Sequence, residues 1–165
     1  MRLPIVLTLL VLAAGCGNKI GDSCTIASDC SQNLDRECDP APNSPGGYCT
    51  IQDCDFDSCP GEAVCIRFFS GAKTNLECDP NEEDKGTEDR CIPEEICTLA
   101  GVCVPRTAES RFCMLKCSSN SDCRGGYECR NRDLMIAHGG QPVAEPNVST
   151  PVDTPLQGFC AASPR

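Results

Sequence analysis

Sulfur dominates the chemistry this chain can offer, because 17 of its 165 residues are cysteine. Thiols act as nucleophiles, ligate metals or close disulfides. A structural zinc site needs Cys-x2-Cys knuckles or a Cys/His set, and no two cysteines here are separated by two residues. A thioredoxin-like redox centre needs the same spacing and fails with it. The lone histidine, His138, stands beside Gly139-Gly140 in a loop-like stretch, so a base-assisted Ser or Cys hydrolase has no support. Asp53, Asp55 and Asp57 alternate as at the opening of an EF-hand and form the one weak calcium candidate. That loop's glycine position holds Ser58 and its twelfth position Val64, and Cys54 interrupts the run. Paired carboxylates of a glycosidase need a rigid cleft with apolar walls, which a chain with no Trp, two Tyr and five Phe scarcely supplies. The expectation is no enzyme, no metal and no cofactor.

Disulfide formation is the chemistry that fits. Setting Cys16 aside, sixteen cysteines follow: Cys24, Cys30, Cys38, Cys49, Cys54, Cys59, Cys65, Cys78, Cys91, Cys97, Cys103, Cys113, Cys117, Cys123, Cys129 and Cys160. They make up about 11% of the residues after Cys16, above the level that marks a disulfide scaffold. An even count in an exported chain predicts eight bridges and no spare thiol. The elements that position these sulfurs are short strands and loops, since a chain so poor in aromatic residues cannot rely on burial alone. Ala63-Val64-Cys65-Ile66-Arg67-Phe68-Phe69 suits a strand. The best helix candidate, Glu94 to Ala100, is cut off by Gly101 after about two turns. Phe68-Phe69 reads as core of a small module or as an exposed contact patch.

Two sets of eight cysteines have similar spacing, with intervals of 5, 7, 10, 4, 4, 5 and 12 residues against 5, 5, 9, 3, 5, 5 and 30. Gly47-Tyr48-Cys49 also matches Arg111-Phe112-Cys113, which favours an internal duplication. The predicted organisation is a cysteine-rich unit over 24–78, an acidic linker over 79–90 and a second unit over 91–165, with a mobile insertion at about 131–158. Each unit halves into four-cysteine modules near 24–49, 54–78, 91–113 and 117–160. Each module has three possible connectivities, among which spacing does not choose. A competing frame pairs Glu37-Cys38-Asp39-Pro40 with Glu77-Cys78-Asp79-Pro80 and breaks the register of eight plus eight.

The N-terminus has the layout of a signal peptide over residues 1–15: Arg2, an apolar run from Leu3 to Ala14, and small residues before Cys16. The run is shorter than the roughly 20 residues that span a bilayer. Leu12-Ala13-Ala14-Gly15-Cys16 is similar to the lipobox of bacterial lipoproteins, with Ala13 where the family prefers Leu. That resemblance implies cleavage before Cys16, diacylglycerol on its thiol, a further acyl chain such as palmitate on its amine, and an acylated tether over 16–23. Gly17 in place of Asp implies sorting to the outer rather than the inner membrane. Units such as Ser121-Asp122-Cys123-Arg124-Gly125-Gly126-Tyr127-Glu128-Cys129 resemble the cysteine-rich lipoproteins abundant in myxobacteria and their relatives. This second resemblance implies a class and a location, not a reaction.

Cleavage removes Arg2 alone, leaving 13 basic against 24 acidic side chains and a net charge of −11. Such a surface repels nucleic acid and anionic lipid. The expected partners are the membrane, through the acyl chains, and an envelope or extracellular protein. The expected function is a lipid-anchored, non-enzymatic envelope module, structural or partner-binding. The alternative is a disulfide-framed inhibitor or ligand-binding module that presents residues 66–77 or 130–159 to an exported enzyme.

Overall fold

The computed structural model describes residues 18–41, 43–71, 76–82, 90–145 and 155–164. The expected signal peptide and Cys16 lie outside these residues.

The fold is small, disulfide-rich and built mainly of strands and loops, and all sixteen cysteines after Cys16 are bridged. A short helix α1 (Ala27–Cys30) precedes the hairpin β1 (Glu37–Asp39) and β2 (Tyr48–Thr50). The long strand β3 (Ala63–Phe69) follows, then a second hairpin, β4 (Glu95–Cys97) and β5 (Cys103–Pro105). Next come β6 (Glu109–Cys117), β7 (Tyr127–Arg130), helix α2 (Arg132–His138), β8 (Gln141–Pro142) and β9 (Gly158–Ala162). The central sheet has the order β7-β9-β6-β3-β8, and each of its pairings is antiparallel.

The bridges follow one rule four times: within each group of four, first bonds third and second bonds fourth. Module A has Cys24–Cys38 and Cys30–Cys49, and module D has Cys117–Cys129 and Cys123–Cys160. Module B has Cys54–Cys65 and Cys59–Cys113, and module C has Cys78–Cys97 and Cys91–Cys103. Module C is therefore nested inside module B, between its third and fourth cysteines. In every module the third and fourth cysteines stand opposite each other in an antiparallel pair: Cys38 and Cys49, Cys65 and Cys113, Cys97 and Cys103, Cys129 and Cys160.

Nesting overturns two tandem units over 24–78 and 91–165. Cys59–Cys113 joins the two sets, and β3 pairs with β6 along its whole length. The expected modules 54–78 and 91–113 misassign their outer cysteines, because Cys78 opens module C and Cys113 closes module B. The echo of Glu37-Cys38 in Glu77-Cys78 is a chance match, since Cys38 is a third cysteine and Cys78 a first. Residues 79–90 separate the first two cysteines of module C rather than two domains, and 83–89 of them lie outside the described residues.

Three further expectations change. The 94–100 segment is strand β4 and a turn, because Gly101 at φ +74° and the bond from Thr98 N–H to Val102 O close a hairpin there. Helix forms instead at α2, where the Asn131 side chain accepts the Leu134 N–H at 3.1 Å and Gly139 ends the run. The 131–158 insertion is thus a helix and a strand over 132–142, with 146–154 outside the described residues. Residues 18–23 are no tether either, since Ile20 is fully buried in the core.

That core unites modules A, B and D: Ile20, Tyr48, Ile66, Met114, Met135 and Phe159 pack in one cluster. Module C has a core of its own made of sulfur, where Cys91, Cys97 and Cys103 pack against Cys78.

Candidate functional site

β6 pairs with β3 on one side, but on its other side it meets β9 only at its C-terminal end. Module A fills the remaining edge. Asp53 N–H donates to Arg111 O at 3.0 Å, and Cys113 N–H donates to Ile51 O at 2.9 Å. The Thr50 hydroxyl then donates to Cys113 O at 2.9 Å, and the Tyr48 hydroxyl accepts the Leu115 N–H at 2.9 Å while donating to Cys160 O at 3.2 Å. Two side-chain hydroxyls thus stand where a strand's backbone would be, and they satisfy groups that burial would otherwise penalise. Burial holds the Tyr48 hydroxyl protonated, with its pKa far above the ordinary value, so it can donate at any physiological pH.

Between this hairpin and the sheet lies a groove of about 490 Å³. Phe68 from β3 and Phe112 and Met114 from β6 form its floor, with Tyr48 and Thr50 on one wall and Ala161 and Ala162 of β9 on the other. The Phe68 ring lies 6.2 Å from Phe112 and 6.0 Å, edge-on, from Phe159, so it belongs to core and groove together. Gly140 allows that arrangement: at φ +84°, a Cβ there would stand 2.7 Å from the Phe159 ring and 2.8 Å from Phe68.

Polar groups around the groove are committed to the fold. Asp39 accepts from the Ser44 hydroxyl. Buried Arg130 donates to His138 O, Gly139 O and Ala162 O, each at 2.9 Å, and to Glu128 at 3.0 Å. It thereby caps the C-terminus of α2 and ties that helix to β9. His138 is not in a loose loop but at the end of α2, with Nδ1 2.7 Å from the Glu128 carboxylate. Glu128 is thus held between a histidine and an arginine. The arrangement can hold an apolar group against aromatic rings; its charged members, Asp39 and Arg130, are already held by Ser44 and by Glu128 and three carbonyls.

The weak calcium candidate does not assemble. Asp53, Asp55 and Asp57 bring no three oxygens within 4.8 Å, and Asp55 accepts from Arg111 at 3.1 Å. Every cluster of potential ligands among the described residues contains cysteines whose sulfur is already bonded to sulfur. The segments proposed for presentation to an enzyme are framed in part: 66–69 lie in β3, 132–138 in α2 and 141–142 in β8, while 72–75 and 146–154 lie outside the described residues.

Modules A and D meet through a stack that spacing alone does not announce. The Tyr48 and Tyr127 rings are 5.3 Å apart, and the Arg124 guanidinium lies 4.2 Å from the Tyr127 ring centre. Arg124 also donates to Gly21 O at 2.9 Å, to Gly47 O and to the Tyr127 hydroxyl at 2.7 Å. Gly47, at φ +72°, has no room for a side chain, because a Cβ would come within 2.0 Å of Cys24 O. An aromatic residue beside a late cysteine was the available signal for Tyr48; nothing in the local text marks Arg124 or Arg130.

Comparison with family models, with curated proteins and with solved structures finds no match for this chain.

Proposed function

We propose that the chain is a lipid-anchored, non-enzymatic module of the bacterial envelope that binds an apolar segment of an envelope or extracellular partner in the groove over Phe68, Phe112 and Met114. The carrying observation is the closed bookkeeping of sulfur. Sixteen cysteines bond among themselves, which leaves Cys16, behind Leu12-Ala13-Ala14-Gly15, as the one thiol that the fold does not use. Eight bridges belong to an oxidising compartment outside the cytoplasm. No helix among the described residues is long and apolar enough to cross a membrane. In this reading, attachment is by the N-terminal acyl chains. Two or three such chains give a lasting anchor where one is marginal. Outer-membrane sorting is part of the reading and rests on Gly17.

Intact mass of the mature protein tests the anchor. The expected result is eight disulfides and an acyl-modified Cys16, with Cys16→Ser protein recovered in the soluble fraction. Free thiols without reductant, or C16S protein that stays in the membrane, would sink the reading. A photo-crosslinking residue at Asn43, on the exposed rim of the groove, tests the partner. It should give a discrete adduct in cells that the same probe at Ile92 in module C does not, and identical patterns at both sites would argue against the groove.

A further inference from the structure

We propose that module A rests directly on the lipid surface, with Ile26 and Leu34 inserted into a neutral, zwitterionic headgroup layer. This inference rests on acylation at Cys16. Asn18 is already part of the folded body: its side chain donates to Ser23 O at 3.4 Å and its carbonyl accepts from Arg36. Lys19 N–H donates to the Asp22 carboxylate at 2.7 Å, and Gly21 N–H to Cys49 O at 2.9 Å. Between them Ile20 is 0% exposed, packed in the core that contains Tyr48. Only Gly17 separates the acylated residue from this rigid start, and two residues of extended chain reach at most about 7 Å. A body tied that closely cannot stand clear of the bilayer; one of its faces must lie against it.

The loops around Asn18 identify the face. Ile26 follows Ser23 by three residues, and Leu34 precedes Arg36 by two, so both loops are bonded to Asn18 itself. These two side chains, 59% and 65% exposed, are the most exposed large apolar residues among those described. Leu34 also takes φ +57°, a left-handed conformation that a leucine adopts at a cost and that marks a constrained position. Apolar side chains beside a lipid anchor enter the boundary between headgroups and acyl chains. The charges set the lipid class. Lys19 and Arg36 are outnumbered by Asp22, Asp29, Asp35, Glu37 and Asp39 in the same module, so an anionic surface is disfavoured and a zwitterionic one is not.

The chain lacks Trp, so one substitution gives a unique fluorescent reporter. Acylated mature protein carrying Leu34→Trp, Ile26→Trp or, as the remote reference, Ile92→Trp is reconstituted in phosphatidylcholine vesicles with and without brominated acyl chains. Ile92 is 55% exposed but lies in module C. The expected result is quenching of L34W and I26W several-fold greater than that of I92W. Because both test positions are surface residues, either variant can stand in if the other fails to fold. Protein that floats with the vesicles and carries the acyl mass, yet is quenched no more at positions 26 and 34 than at 92, overturns the docking alone. An unmodified Cys16 overturns the anchor and the docking together.

Discussion

Modules A and D are built on the same frame and differ chiefly in one interval. Each opens with a five-residue loop between its first two cysteines, and in each an aspartate accepts two backbone N–H groups. Asp29 takes those of Thr25 and Ile26, and Asp122 those of Ser118 and Ser119. Each then sets its third cysteine opposite its fourth. Between those two cysteines module A has ten residues and module D has thirty, which include α2 and β8. In module B the same interval holds 47 residues and all of module C. Module C alone carries its longest interval, twelve residues, between the first and second cysteines, and the frame otherwise takes its longest insertions between the third and fourth. That is where the chain builds its individual surface, because the two strands are held by their bridges whatever joins them.

The largest test of this comparison removes equivalent bridges. Closing a longer loop removes more entropy from the unfolded chain, so C123A/C160A, with a separation of 37, should cost about 4 kcal/mol, and C30A/C49A, with a separation of 19, about 3 kcal/mol. Denaturant titration measures both. Equal costs would mean that the module D interval is already ordered in the unfolded chain, and the idea of a freely tolerated insertion would fail.

The paired tyrosines sharpen the contrast at a smaller scale. Tyr48→Phe strands the Leu115 N–H and the Cys160 carbonyl and should cost about 2 kcal/mol. Tyr127→Phe loses an acceptor for Arg124, which keeps other partners, and a long donation shared between Pro45 O at 3.3 Å and Gly47 O at 3.4 Å, and should cost about 1 kcal/mol or less. A reversed order would show that the join between A and D depends on Arg124 more than on the filled edge of β6.

The smallest effect should be the same in both modules. The hydrogen bonds from two backbone N–H groups lower the pKa of Asp29 and of Asp122 below the ordinary value of 3.8. Each ionised carboxylate therefore favours the folded state above that value, and its contribution is lost as pH falls through the lowered folded pKa. Asp29→Asn and Asp122→Asn remove the ionisation, so the loss of stability on acidification below 3.8 should be smaller than in the wild type, and equally so in the two variants. Unequal changes would mean that the two turns are alike in shape but not in energetics.

What was readable in the residues is local. Ala63 to Phe69 is a run of seven mostly apolar residues and forms β3, and the even cysteine count after Cys16 matches eight bridges. Modules 24–49 and 117–160 close where similar spacing put them. Nesting was not readable, because Cys65 to Cys78 and Cys103 to Cys113 have the same lengths whether a chain closes locally or returns to an earlier strand. Helix α2 carried its signals in Asn131 and Gly139, but the prolines further along the interval drew the reading toward a mobile loop. For the groove, Phe68 stood out as part of an apolar pair. Arg130 did not, since its role depends on carbonyls of α2 and β9 that only the fold brings together.

The opposed third and fourth cysteines have a further consequence during maturation. Residues directly across an antiparallel pair have Cα atoms about 4.5–5.5 Å apart, within the range that a disulfide accepts. Yet in all four modules those neighbours bond elsewhere. A chain whose hairpins form while its thiols are still reduced presents the wrong sulfurs to each other first. Each such mispairing must then be undone by thiolate attack through a mixed disulfide. Production in an oxidising compartment without a shuffling catalyst should therefore accumulate isomers with the correct mass and the wrong connectivity.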